Sequence, residues 1–186
     1  MIERLHRLRL RARSERGYTL IELVVVLAIF MTIVTALVAL FTSGVKAELD
    51  MNRRFEAQQN ARVALDRMRR ELHCSSGITA TAGVAVASVT VALPSQCPSS
   101  GGSAISIVYD VNQVSASRYQ LRRTVNSTTS VIADYITNGT PFTYTPENAS
   151  SRAILHVDFP VNVNPNEGWK SWRLVDDIVL RNTLRQ

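Results

Sequence analysis

The chain has 186 residues, of which 46% are hydrophobic, 19% charged and 6% aromatic, a balance too apolar and too weakly charged for a disordered protein and of a size that suits one domain. Its formal charge of +6 does not describe a nucleic-acid-binding face, because residues 1–17 hold Arg4, Arg7, Arg9, Arg11, Arg13 and Arg16 against Glu3 and Glu15, a net of +4 that leaves +2 for the remainder. The basic character belongs to one short end, and two cysteines allow one disulfide but no cysteine-rich metal module.

Behind the basic end, residues 20–41 read LIELVVVLAIFMTIVTALVALF, with Glu22 as the one ionisable residue and neither Gly nor Pro. At ~1.5 Å per residue this run makes about 33 Å of helix, matching the roughly 30 Å hydrocarbon core of a bilayer. Arginines crowd its near side and only Lys46, Glu48 and Asp50 follow it closely. The positive-inside rule then predicts a cytoplasmic N-terminus and a C-terminal part across the membrane. A buried core helix rarely runs this long without a polar face.

The junction Arg16-Gly17-Tyr18-Thr19-Leu20-Ile21-Glu22-Leu23 departs from a secretory signal peptide, whose small-residue cleavage site follows the apolar region. A cut after Val34-Thr35-Ala36 would fall inside the apolar run and leave residues 37–41 exposed. Here the small residue, Gly17, comes first, so a protease reading it works at the cytoplasmic face and leaves the hydrophobic helix on the product. Glu22 is the second anomaly, since an ionised carboxylate at membrane depth costs at least ~2.5 kcal/mol and needs a partner. The span contains no cation. A cut after Gly17 would create an α-amino group on Tyr18, about one helical turn from Glu22, and that ammonium would neutralise the carboxylate within one chain or between adjacent chains. The plainer alternative is that Glu22 snorkels to the cytoplasmic interface unpaired.

These residues resemble the type IV prepilin and pseudopilin leader: a short basic segment ending in Gly, an aromatic residue, T-L-I-E-L, then an apolar helix. The resemblance implies that Gly17 precedes the prepilin peptidase cut, that Tyr18 becomes the N-methylated first residue and that Glu22 is the subunit-registering carboxylate. Tyr18 stands where the family most often has Phe. The helix-kinking Pro of many major pilins is absent, with Ala39 in its approximate place, which favours a minor pilin or pseudopilin.

Beyond Thr42 the helical period persists: Ala61, Leu65, Met68 and Leu72 recur at i, i+4, i+7 and i+11, with Arg53, Arg54, Glu56, Arg62, Asp66, Arg67, Arg69, Arg70 and Glu71 around them as a solvated face or as inter-subunit salt bridges. One long helix is expected over 18–73, with Gly44 a weak point just outside the bilayer. After Ser75 the period changes to two, and strands are expected at 84–93, 104–111, 118–125, 131–136, 153–159 and 174–184, separated by loops at 94–103, 126–130, 138–151 and 161–168. The fold class is α+β, a long N-terminal helix packed on a mainly antiparallel sheet, pilin-like by the resemblance. Four segments follow: a removable leader at 1–17, a transmembrane and filament-core helix at 18–41, its amphipathic continuation at 42–73, and an extracytoplasmic β-domain at 74–186. Residues 60–72, Leu121-Arg122-Arg123 and Val179-Leu180-Arg181-Asn182 also resemble the J-type pseudopilin and its minor-pilin relatives.

Cys74 closes the helix and Cys97 lies in a Gln-Cys-Pro-Ser-Ser-Gly-Gly loop, both on the predicted oxidising side, so a Cys74–Cys97 disulfide is expected. No catalytic constellation is visible. His6, His73 and His156 have no metal-ligand spacing. His156, beside Asp158 in a strand, reads as a hydrogen-bonded structural histidine, and Asp176-Asp177 lacks the further carboxylates of a Ca2+ loop. No G-x-S-x-G, phosphate loop or Cys-x-x-Cys occurs. Trp169, Trp172, Tyr135, Tyr144 and Phe142 read as sheet core or loop anchors. Arg118, Arg122 and Arg123 read as a solvated strand face rather than a DNA site.

The expectation is therefore a minor type IV pilin or pseudopilin, a structural subunit rather than an enzyme, with no cofactor, metal or nucleic acid. By the resemblance its partners are the prepilin peptidase, other pilin or pseudopilin subunits, and an inner-membrane assembly platform with a cytoplasmic ATPase. It would start as a single-pass protein of the inner membrane and end in an envelope or cell-surface filament. The alternatives are a tip adhesin or DNA-uptake receptor of the same filament, a bitopic protein with an unrelated sensory domain, and an exported enzyme.

Overall fold

The computed structural model describes residues 17–164 and 171–181. The leader 1–16 with His6, Trp169, residues 165–168 of an expected loop, and residues 182–184 with Asn182 lie outside them. Among the described residues one long α-helix, α1 (Leu20–Cys74), is followed by nine strands: β1 (Gly77–Thr79), β2 (Ala85–Val86), β3 (Ser88–Leu93), β4 (Ile105–Ser115), β5 (Arg118–Val125), β6 (Thr128–Ile136), β7 (Phe142–Thr145), β8 (Ile154–Val161) and β9 (Trp172–Val179), with a short 3-10 turn at Pro98–Ser100 between β3 and β4. The chain divides into two compact units, Met1–Leu49 and Asp50–Gln186.

In the first unit α1 starts at Leu20, two residues later than the helix expected over 18–73, because Thr19 caps it. The Thr19 hydroxyl accepts the Glu22 backbone N–H at 3.3 Å and the Thr19 carbonyl accepts the Leu23 N–H at 3.2 Å, the first of these being the half of a T-x-x-E capping box in which the cap hydroxyl accepts. From residue 17 to residue 49 every side chain is exposed except half-buried Val34. Hydroxyls in this stretch bond to their own helix: Thr32 donates to Ile29 O (2.7 Å), Thr35 to Met31 O (2.7 Å), Thr42 to Val38 O and Ser43 to Leu40 O (2.8 Å).

In the second unit α1 buries Ala57, Ala61, Ala64, Leu65, Met68, Glu71 and Leu72, so all four positions of the expected stripe face inward. They meet one antiparallel sheet in the order β1-β3-β4-β5-β6-β8-β7-β2, with β9 added on β8. The inner face follows from strand parity. In β8 the alternate residues Leu155, Val157, Phe159 and Val161 are buried, and Phe159 packs edge-on against Phe142 with ring centroids 6.0 Å apart.

The expected strands are present with altered ends: 84–93 is divided between β2 and β3, β4 runs on to Ser115, β5 matches 118–125, β6 begins at Thr128, and β9 begins at Trp172. The expected loop 126–130 is a two-residue turn, Asn126 (φ 46°) and Ser127 (φ 66°), the type I′ conformation that a tight hairpin needs. Two strands lie where turn residues masked them: β1, and β7 inside the expected loop 138–151. β7 is only four residues long, held between Pro141 and Pro146, yet it pairs with β8 from Phe142↔Val157 to Thr145↔Ile154.

Candidate processing and assembly site

Gly17, Tyr18 and Thr19 precede the helix, so the Gly17–Tyr18 bond lies in non-helical chain, with nothing within 4 Å of a Cβ placed on Gly17 and Tyr18 81% exposed. Glu22 occupies the first turn of α1 and is exposed. Its backbone N–H is taken by the Thr19 hydroxyl. The sequence placed Tyr18 inside the helix, one turn from Glu22. The structure places it one residue before the Thr19 cap, so helical spacing does not fix the distance between a Tyr18 amine and the Glu22 carboxylate. The apolar stretch behind them has a mean hydropathy of 3.0 over an 18-residue window, none of it buried within the chain.

At the other end of α1 the last turn is held to the sheet. Cys74 and Cys97 are paired, with Cα atoms 5.8 Å apart, inside the range a disulfide spans. Cys97 sits in the β3–β4 connection, whose tight path uses Gly101 (φ 66°) and Gly102 (φ 88°). One turn earlier, Glu71 is 1% exposed. Its carboxylate accepts Nε and Nη2 of Arg123 at 3.1 and 2.9 Å, the hydroxyl of Tyr109, and Nε of Arg67 at 3.4 Å. Burial pushes the Tyr109 phenol well above its ordinary pKa, and Glu71 adds to the effect. Burial opposes the charge on Arg123 but is outweighed by Glu71 and Tyr109, which raise its pKa.

This cluster corrects two sequence expectations. Glu71 is not part of the solvated face, and Arg123 does not share an exposed surface with Arg118 and Arg122. Both misplacements were visible in the periodicity: Arg123 has the parity of buried Leu121, and Glu71 lies between Met68 and Leu72 on the helix. Charge alone argued for solvent.

The other two arginines each answer a carboxylate on the outer face: Arg118 with Asp134 (2.5 Å), and Arg122 with Asp110. Burial raises the Asp134 pKa, but hydrogen bonds from Arg118, Gln120 and the Tyr135 N–H outweigh it and hold the group below its ordinary value. Arg118 also lies 4.2 Å above the Tyr135 ring, at a β6 bulge where Tyr135 takes φ 62°. His156 bonds Asp177 across to β9 at 2.6 Å rather than its own-strand neighbour Asp158, which instead pairs with Arg173 at 2.7 Å. Opposition across strands outweighs proximity along one. Asp176 is held by Arg69 at 2.7 Å, so the Asp176-Asp177 pair is divided between two partners. Among the described residues no three His, Cys, Asp or Glu side chains gather as a metal site. Phe142 is core, while half-buried Trp172 carries Arg62 at 5.1 Å from its ring centroid.

Residues 12–38 match the family profile described as the prokaryotic N-terminal methylation motif. Neither a curated protein nor a solved structure gives a match to the chain. The profile covers Gly17, Tyr18, Glu22 and most of the exposed apolar helix, and it points to a structural subunit that a prepilin peptidase processes and that assembles with other pilin subunits. With a helix long and apolar enough to cross a bilayer followed in sequence by an antiparallel sheet, the chain is a membrane-anchored, pilin-like α+β protein that carries a prokaryotic N-terminal methylation motif at residues 12–38, which supports the type IV prepilin and pseudopilin family.

Proposed function

We propose that this protein is a minor type IV pilin or pseudopilin, made with a cytoplasmic N-terminus and an extracytoplasmic β-domain, that helps initiate or build an envelope-spanning filament. The observation that carries the reading is the methylation motif set at the start of an exposed apolar helical stretch: residues 12–38 match the motif, and the large apolar side chains from Leu20 to Phe41 are exposed, with Val34 alone half-buried. Cleavage between Gly17 and Tyr18 removes the +4 leader that holds the helix end at the cytoplasmic face. The new Tyr18 amine is methylated and pairs with Glu22 of a neighbouring subunit, each charge neutralising the other in low dielectric. An ATP-driven platform then moves the helix from lipid into a bundle of like helices. In the oxidising compartment outside the membrane, the Cys74–Cys97 disulfide forms and ties the helix end to the sheet. The absent helix-kinking Pro and the resemblance of residues 60–72 to J-type pseudopilins favour a minor subunit over the major one.

The deciding measurement is the intact mass and N-terminal peptide of the protein recovered from membranes of cells that express the matching peptidase. The expected product starts at Tyr18 and carries one extra methyl group. A start at Met1 would leave a plain bitopic membrane protein, and a start near Leu37 would indicate release by signal peptidase.

A further inference from the structure

The chain carries three Asn-x-Ser/Thr triplets, Asn126-Ser127-Thr128, Asn138-Gly139-Thr140 and Asn148-Ala149-Ser150, the pattern in which an asparagine amide accepts an oligosaccharide. All three fall in the β-domain, in the connections β5–β6, β6–β7 and β7–β8, and neither processing nor assembly uses them. A transferase has to draw the asparagine, together with the hydroxyl two residues on, into its own site. The triplet must therefore be exposed, its NH2 group free and its backbone outside the sheet ladder. Asn126 fails on the last count, because it opens the two-residue turn at φ 46° and Thr128 is already in β6, opposite Val125. Asn138 fails on the first two. It is half-buried and its Nδ2 donates to the Asp158 carbonyl and carboxylate at 3.4 and 3.5 Å, while Gly139 is pressed against the Tyr119 ring, 2.9 Å from where a Cβ would stand.

Asn148 meets all three conditions. Residues 148–152 are exposed, in the loop that follows Thr145↔Ile154, the outermost pair of β7 with β8. One end of the Asn148 amide accepts the backbone N–H groups of Ser150 and Ser151 at 2.9 and 2.8 Å and the Ser150 hydroxyl at 3.3 Å. A backbone N–H can only donate, so that end is the oxygen, and the NH2 is the end left without a bond to any described residue. We propose that Asn148 is an N-glycosylation site, with a polyprenyl-diphosphate oligosaccharide as the donor and Ser150 as the hydroxyl that the transferase reads. This rests on the reading that the β-domain is exported to the face of the membrane where such a donor is presented. Nδ2 of Asn148 attacks the anomeric carbon of the donor. The N–C bond forms as the C–O bond to the diphosphate breaks, the polyprenyl diphosphate leaves with the electron pair, and one amide proton passes to a base of the transferase. A bulky, solvated group at this position keeps the β7–β8 loop clear of neighbouring subunits.

The experiment maps the peptide that holds residues 146–152 by electron-transfer fragmentation, in the full chain recovered from membranes of the cells that make it. The protein is alkylated without reduction, so the state of Cys74 and Cys97 is read in the same sample. Asn148→Gln, Ser150→Ala and Ser150→Thr are compared with the wild type; both positions are exposed, so the three variants leave the core untouched. The expected wild-type chain carries a saccharide on Asn148 and an intact mass raised by that saccharide. Asn148→Gln and Ser150→Ala lose the whole increment, although Ser150→Ala keeps the asparagine, and Ser150→Thr retains it. An unmodified Asn148 in a chain whose disulfide has formed overturns the proposal and leaves the export reading standing. A saccharide on Asn126 or Asn138 in its place, or one on Asn148 that survives Ser150→Ala, overturns the proposal as well. Free thiols at Cys74 and Cys97 beside an unmodified Asn148 overturn the export reading, and the inference with it.

Discussion

The two stretches of α1 on either side of Asp50 are equally helical, yet one exposes apolar side chains all round, from Leu23 at 55% to Phe41 at 75%, while the other hides Met68 and Leu72 completely. The second needs the sheet, because an isolated amphipathic helix of that length is marginal in water. The first is exposed among the described residues, and a helix apolar on every side persists only where lipid or other chains surround it. The same secondary structure thus answers to two kinds of surroundings, and the amino-acid pattern says which: a continuous apolar run in one stretch, a stripe at i, i+4, i+7 and i+11 in the other.

The largest effect that separates the stretches is expected at Glu22. Glu22→Ala should leave cleavage after Gly17 nearly intact and abolish incorporation into filaments, read as processed protein in the membrane fraction and none in sheared filaments; normal incorporation would sink the ion-pair role. Next, Leu72→Ala should cost about 2–5 kcal/mol in a denaturant melt of the full chain in detergent, whereas Leu27→Ala should change that melt by less than about 0.5 kcal/mol. Equal losses would contradict the division. Cys97→Ser opens a loop whose cysteines are 23 positions apart and should lower stability by roughly 3 kcal/mol, seen as a lower denaturant midpoint that reducing agent reproduces in the wild type but does not lower further in the variant.

The smallest effect is expected on the outer face of the sheet. Asp134 has its pKa lowered in the folded protein, so its contribution is present above the ordinary carboxylate value near about 4 and fades as pH falls through the folded value. Asp134→Asn should cost about 1 kcal/mol or less at neutral pH and flatten the loss of stability below about pH 4. A variant with an unchanged acid limb would mean that other carboxylates govern it.

Much of this was legible in the residues. The prepilin signature from Arg16 to Leu23 is local and rigid in spelling, so it survives without any knowledge of the fold, and the helical stripe and most strands follow from periods of 3.6 and 2. What was hidden depends on partners far along the chain. β7 has too few residues to declare a period, and its pairing with β8 makes it a strand. The periodicity of strand and helix puts Arg123 and Glu71 on the inner faces, but what makes their charges tolerable there is their meeting with each other and Tyr109 across 52 and 38 positions, which no local pattern announces. His156 chose Asp177 over Asp158 for the same reason.

The back-bonded hydroxyls of α1 have a consequence for a segment that changes its surroundings. Between Leu20 and Phe41 the polar side chains are Glu22, Thr32 and Thr35, and both threonines spend their protons on carbonyls of the preceding turn. The stretch therefore presents the same saturated exterior whether fatty acyl chains or neighbouring helices press against it, and passing from one to the other exchanges only dispersion contacts. On the proposed passage from lipid into a filament, Glu22 alone would gain or lose a hydrogen-bond partner, leaving a single carboxylate to tell the helix where it is.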